Sequence, residues 1–254
     1  MKMRYGALSD PGDVRTENQD RILALTGMVE GKETGLFVVA DGMGGLSYGS
    51  AVSAYIIDSF SRWWEEDFPE MAQAGKCKKE EIKELLEQEI WDVNQEVFTF
   101  CKRENCRSGS TLSVLFIYDG HYHIVNMGDS RVYHFQNGEL KRLTEDQSMA
   151  AQLVREKKLT EEEAKHSGKN HILTMCIGMV EIPRSFYTEG TLKKGDCFLL
   201  CSDGFYNAAE EQEICNILNQ NEIDPQEKAH SLRNLIQPGK AGDNVSEIIV
   251  EIME

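Results

Sequence analysis

The sequence lacks several features that would narrow its role at once. Its seven cysteines are odd in number and contain no C-x-x-C pair, which leaves neither a thioredoxin-type motif nor an evenly paired disulfide frame. Several of them sit inside apolar runs such as DCFLLCSD, as reduced, packed thiols do. No run of about 18 apolar residues occurs, and the opening MKMRYGALSD has no apolar signal core. A cytoplasmic protein is therefore expected. Positive charge is short: 27 Lys and Arg face 43 Asp and Glu, for a net charge of −16. Such a chain repels the backbone of nucleic acid and the face of an anionic membrane, so neither is expected as a partner. No repeat, low-complexity tract or linker divides the 254 residues.

What is present is a mixed set of strand and helix patterns. Short runs of Val, Ile, Leu, Phe and Tyr at 36–40, 112–118, 121–126, 131–136, 140–143, 196–201 and 245–252 are bounded by Gly, Asp or Asn and predict strands. Asp119-Gly120 and Asn137-Gly138 each join two runs through two residues, the composition of a tight hairpin turn. An antiparallel meander in mid-chain follows. Apolar residues at three- and four-residue steps predict amphipathic helices over 47–64 and 82–100, with later helical stretches at 147–157, 210–219 and 226–236. Helices on the outer faces of antiparallel sheets, an α+β architecture, fit that order.

Aspartates recur where apolar runs meet turns: VVADG at Asp41, NMGDS at Asp129, LLCSDG at Asp203 and AGDNV at Asp243. Each alone is ordinary turn chemistry. Together they suggest more, because strands lying side by side bring their ends together, and carboxylates gathered there repel unless a cation sits among them. Oxygen ligands select a hard ion, Mg²⁺ or Mn²⁺, since the chain has neither a His/Cys cluster for zinc nor an EF-hand spacing for calcium. Gly42 and Gly44 would let backbone carbonyls approach such ions, and Asp41 could bridge two of them.

The blocks RTENQD (15–20), VVADGMGG (38–45), SGSTLSV (108–114), NMGDSRVYHF (126–135), LTEDQS (143–148), LLCSDGFYN (199–207) and GDNVSEI (242–248) resemble, in order and across nearly the whole chain, the bacterial branch of the metal-dependent type-2C protein serine/threonine phosphatases. The resemblance implies a four-layer α-β-β-α sandwich formed by residues 1–254 as one catalytic domain, with a flap at about 145–180. It implies two Mn²⁺ or Mg²⁺ ions with a third more weakly held. Asp41 would bridge, the Gly42 carbonyl, Asp203 and Asp243 would complete the pair, and Asp129 would join Asp203 at the third position. Arg15 matches the phosphate-binding arginine, Asp20 the acid that reaches a metal through water, and Asn244 stands beside Asp243 behind the ligands. Phosphorylated proteins would be the substrates, with a cognate serine/threonine kinase as counterpart, and the chain would act as a monomer. The chemistry agrees: phosphate monoester hydrolysis needs a barrier reduction of about 20 kcal/mol, which paired metals and a guanidinium clamp supply by activating water for direct attack on phosphorus.

Three departures stand out. Met43 occupies a turn position where many relatives outside bacteria carry histidine, Gln19 replaces a usual glutamate, and the flap has Ser167 and Met175-Cys176 at altered places. Met43 leaves the general acid unassigned. Two other functions compete: a pseudophosphatase or phosphoprotein-binding module of the same fold, which predicts a damaged set of aspartates, and a nucleotide-binding loop at 42–45, which lacks G-x-x-x-x-G-K-[ST]. His121 and His123 are expected on a surface strand, His166 in the flap away from substrate, and one of Trp63 and Trp64 in the core.

Overall fold

The computed structural model describes residues 2–44 and 48–253. Gly45 of the glycine turn and the first residue of the helix expected at 47–64 lie outside them. One sheet contains β1 (Met3–Asp10), β11 (Val245–Ile252), β10 (Cys197–Cys201), β7 (Arg131–Gln136) and β8 (Glu139–Arg142) in that spatial order. The other runs β2 (Asp20–Val29), β3 (Lys32–Gly44), β5 (Leu112–Tyr118), β6 (His121–Met127) and β9 (Phe186–Thr191), with β4 (Ser108–Ser110) paired to the end of β3. Every pairing is antiparallel.

The central strands read as unbroken apolar runs because both of their faces are buried. Along β3, Leu36, Val38 and Ala40 pack toward α1 (Tyr48–Arg62) and α3 (Lys79–Glu104), while Phe37 and Val39 pack against Phe198, Leu200, Ile248 and Val250 of the facing sheet. A third apolar layer lies under α7 (Glu211–Leu218) and α8 (Pro225–Leu235), where Leu199, Cys201 and Ile249 meet Ile214 and Leu232. The result is the expected α-β-β-α sandwich. α3 buries Ile82, Leu86, Ile90, Val93 and Val97 on one stripe, starts with a capping box in which Glu81 accepts from the Lys78 N–H, and stops at Asn105 in left-handed conformation. α1 continues through a π-helical turn, Trp63–Asp67, into α2 (Phe68–Gln73). Trp63 is core and Trp64 half-buried, as expected.

Three expectations change. The mid-chain meander is divided: β5 pairs with β6 and β7 with β8, but β6 and β7 belong to different sheets. The chain crosses between sheets at Gly128-Asp129-Ser130, where Gly128 has φ of +99°. Asp41 is also not at a strand end. β3 continues to Gly44, and Gly42 to Gly44 pair with Ser110 to Ser108. The expected surface position of His123 is wrong as well. It is buried, bonds Tyr187 Oη through Nδ1 at 2.8 Å, and burial lowers its pKa to about 4.

Candidate active site

The aspartates singled out in the sequence meet at one end of the two stacked sheets. Asp20 begins β2 directly opposite Asp41 on β3. Asp129 lies in the crossover, Asp203 is the first residue of the short helix α6 (Asp203–Tyr206) after β10, and Asp243 precedes β11. Their mutual field is visible in their acidities. Burial, then Asp20, Asp203, Asp129 and Asp243, push the Asp41 carboxyl well above its usual range. Burial and Asp203 raise Asp129 to about 7, and burial raises Asp20 to about 6. Asp203 rises through burial and Asp243.

Backbone packing holds these groups in place. A Cβ on Gly42 would lie 2.3 Å from the Gly49 carbonyl oxygen, so only glycine lets the first turn of α1 close on the strand. Thr111 N donates to the Asp41 carbonyl at 2.9 Å, and its Oγ1 accepts from the Asp41 N–H at 3.0 Å and meets Ser130 Oγ at 2.7 Å. That hydroxyl pair ties the strand bearing Asp41 to the crossover bearing Asp129. A Cβ on Gly204 would sit 2.0 Å from the Asn244 carbonyl oxygen, which fixes Asp203 against Asp243. Asn244 Oδ1 accepts from Gln19 N at 2.9 Å and its Nδ2 donates to the Pro11 and Glu17 carbonyls at 3.0 Å, lashing the 11–19 loop beside the site. Arg15 on that loop donates from Nε and Nη2 to the two carboxylate oxygens of Asp243, each at 2.9 Å, and these bonds raise its pKa. Its Nη1 remains for another anion.

The donor set suits hard divalent ions. Ser202 Oγ donates to Asp20 Oδ2 at 2.8 Å, whereas Asp20 Oδ1 is buried without a partner. A cluster of carboxylates raised in pKa, with an orphaned oxygen among them, is what a bound cation would relieve. Among the described residues no three His, Cys, Asp or Glu side chains are grouped closely enough to hold an ion by themselves. Backbone oxygens or water would have to complete the coordination of any ion at this cleft.

Residues 13–236 match the family model described as Protein phosphatase 2C. The chain belongs to the protein phosphatase 2C family. It is 31% identical over 252 residues to the serine/threonine phosphatase stp of Listeria welshimeri serovar 6b, covering 96% of this chain and 93% of that protein. In structure it is similar to the S. agalactiae serine/threonine phosphatase, with a TM-score of 0.87, 27% identity, and coverage of 99% of this chain and 100% of that one. The catalytic domain of the serine/threonine protein phosphatase PstP in complex with two manganese ions matches at a TM-score of 0.82 and 26% identity, over 99% of each chain.

In this phosphatase the structure adds groups that pattern reading missed. His171 Nδ1 stands 3.8 Å from Asp203 Oδ2, although nothing in the flap sequence distinguishes it from the similarly exposed His166, which pairs with Glu162 at 3.3 Å. Ser202, by contrast, immediately precedes Asp203 and was legible as a helix start, although its hydroxyl bonds Asp20 rather than capping the helix. Arg131 forms a two-point pair with Asp146 at 3.0 and 2.7 Å and lies 3.6 Å over the Tyr206 ring. Burial opposes its charge, but Asp146 together with Tyr206 and Tyr133 outweighs burial and raises its pKa.

Proposed function

We propose that this chain, as one catalytic domain over residues 1–254, is a metal-dependent protein phosphatase that removes phosphate from phosphoserine and phosphothreonine, with the aspartate cluster holding the ions. Asp41, the Gly42 carbonyl, Asp203 and Asp243 would hold a pair of Mn²⁺ or Mg²⁺ ions, and Asp129 with Asp203 a third. Asp20 and Asn244 support that set from behind. Ions held there would bring the pKa of water near neutral and offset charge on phosphoryl oxygens. Arg15 supplies the remaining recognition: it is exposed, oriented by Asp243, and has N–H groups free to clamp two phosphoryl oxygens. Met43 offers the leaving alkoxide no proton. His171, whose Nδ1 lies 3.8 Å from Asp203 Oδ2, or solvent would carry that proton instead.

The observation that carries the reading is the gathering of Asp20, Asp41, Asp129, Asp203 and Asp243 around one cleft with Arg15 at its rim. The full set is retained, which gives a pseudophosphatase no support. The same reading makes phosphorylated proteins the substrates, a serine/threonine kinase the opposing enzyme, and the working form a cytoplasmic monomer engaged in signalling. Among the described residues no helix is long and apolar enough to cross a membrane. The test is hydrolysis of an aryl phosphate and of a phosphothreonine peptide with Mn²⁺ added. Turnover should vanish in EDTA and in Asp41→Asn, and turnover that survives either treatment sinks the proposal.

A further inference from the structure

A groove of about 840 Å³ opens beside the active-site cleft. Met43 and Gly44 line both, so the groove continues directly from the pocket that holds Arg15, Asp41 and Asp243. Its wall is the C-terminal end of α3, and its far side is the flap segment near Gly178 and Met179. Two hydrogen bonds of Asn94 fix that segment: its Nδ2 donates to the Val180 carbonyl at 2.8 Å and its Oδ1 accepts from Gly178 N at 3.0 Å.

The charge of this groove is opposite to that of the molecule. Its described lining includes the cations Lys102 and Arg107 and no carboxylate, in a chain with 43 acidic and 27 basic residues. Both cations are exposed, and neither forms an ion pair among the described residues. Lys102 Nζ rests 4.3 Å from the centre of the Phe98 ring, which directs the ammonium along the groove wall. Neighbouring Arg103, by comparison, is already paired with Glu104 at 2.9 Å. A helix end collects bases to complement its dipole, and that accounts for Lys102. It does not account for Arg107, which lies beyond the helix, immediately before the strand β4 that pairs with Met43 and Gly44.

We propose that this groove seats the polypeptide flanking the phosphorylated residue, and that Lys102 and Arg107 select substrates with aspartate or glutamate close to the phosphosite. The inference rests on the phosphatase reading and deepens it. A net charge of −16 disfavours an acidic peptide at long range, but at physiological salt that field is screened beyond about 8 Å. Once the phosphate is in the cleft, the local cations decide. An extended chain advances about 3.3 Å per residue, so the groove reads only the few residues next to the phosphate.

The test uses Mn²⁺-loaded full-length protein and phosphothreonine peptides identical except that each flanking position in turn is Glu or Lys. Every kcat/KM is divided by that for an aryl phosphate, which has no flanking chain. Wild type should favour Glu over Lys about tenfold at one or more positions, and 0.5 M NaCl should reduce the preference. The double variant Lys102→Glu/Arg107→Glu should reverse it. A control double reversal at Lys141 and Lys194, on β8 and in the turn before β10, should leave it intact. Equal ratios at every position in wild type, or a preference that persists in Lys102→Glu/Arg107→Glu, would overturn the proposal while leaving the phosphatase reading in place. A wild type inactive on both the aryl phosphate and the peptides would instead overturn the phosphatase reading, and the groove's role with it.

Discussion

Asp129→Asn should make the metal-free protein more stable, and the gain should depend on pH. Asp129 is 7% exposed, and burial, followed by Asp203 and Asp146, moves its pKa from 3.8 to about 7. An acid with a folded pKa above its unfolded value binds more protons when folded. Stability contributed by that proton is therefore present below the unfolded pKa and is lost as pH rises through the window up to about 7. At 1.36 kcal/mol for each tenfold change in the protonation equilibrium, the cost reaches about 4 kcal/mol by pH 8 and is about 1.5 kcal/mol at pH 5. Solvent reaching the cleft reduces both figures, so about 2 to 4 kcal/mol is expected at pH 8.

Asparagine keeps the shape and removes the charge. For a chain of this size about 1 kcal/mol moves the melting temperature by roughly 2–4 °C, so thermal unfolding in EDTA should show Asp129→Asn melting roughly 5–15 °C higher at pH 8 and only a few degrees higher at pH 5. Manganese should narrow the difference, because an ion at 100 times its dissociation constant stabilises wild type by about 2.7 kcal/mol and the variant by less. A variant that melts at or below the wild-type temperature at pH 8 in EDTA, or whose gain is the same at pH 5, would refute the reasoning that unrelieved charge is stored at this end of the sheets.

Three further outcomes follow from other contacts. Arg15→Lys loses the two-point geometry now made with Asp243, and kcat/KM for a phosphopeptide should fall about 10- to 100-fold, the loss of roughly 1.5–3 kcal/mol for a charged hydrogen bond; activity within twofold of wild type would remove Arg15 from phosphate recognition. Gly204→Ala must displace the Asn244 carbonyl, 2.0 Å from the new methyl, and should cost about 3 kcal/mol in urea unfolding while weakening Mn²⁺ binding measured by calorimetry. Of the seven free cysteines only Cys106 is not buried, so a thiol reagent should modify one equivalent quickly in native protein and seven after denaturation; two or more fast equivalents would contradict the packing.

The parts of the fold that were legible in the sequence are those with both faces covered. β3, β5, β10 and β11 lie between a helix layer and the other sheet, and that double burial writes itself as continuous Val, Ile, Leu and Phe. β1, β2 and β9 lie at sheet edges, where half-exposed residues alternate with Gly, Ser and Thr, and no comparable run marks them. Hairpin turns were legible for a local reason, since Asp119 and Asn137 both adopt positive φ. Gly128-Asp129-Ser130 has the same turn composition yet carries the chain to another sheet, and composition at a turn holds no information about which sheet receives the next strand. The site divides in the same way. Its aspartates repeat one recognisable setting, an acid where an apolar run meets a turn, so their convergence could be inferred before any contact was seen. His171, exposed on the flap, stands beside Asp203, and the buried Thr111–Ser130 hydroxyl pair lies behind Asp41; both arise from contacts between segments distant in the chain, and no local pattern encodes that. Local sequence therefore announces the aspartates, whereas the groups that hold and flank them are properties of how distant segments come together.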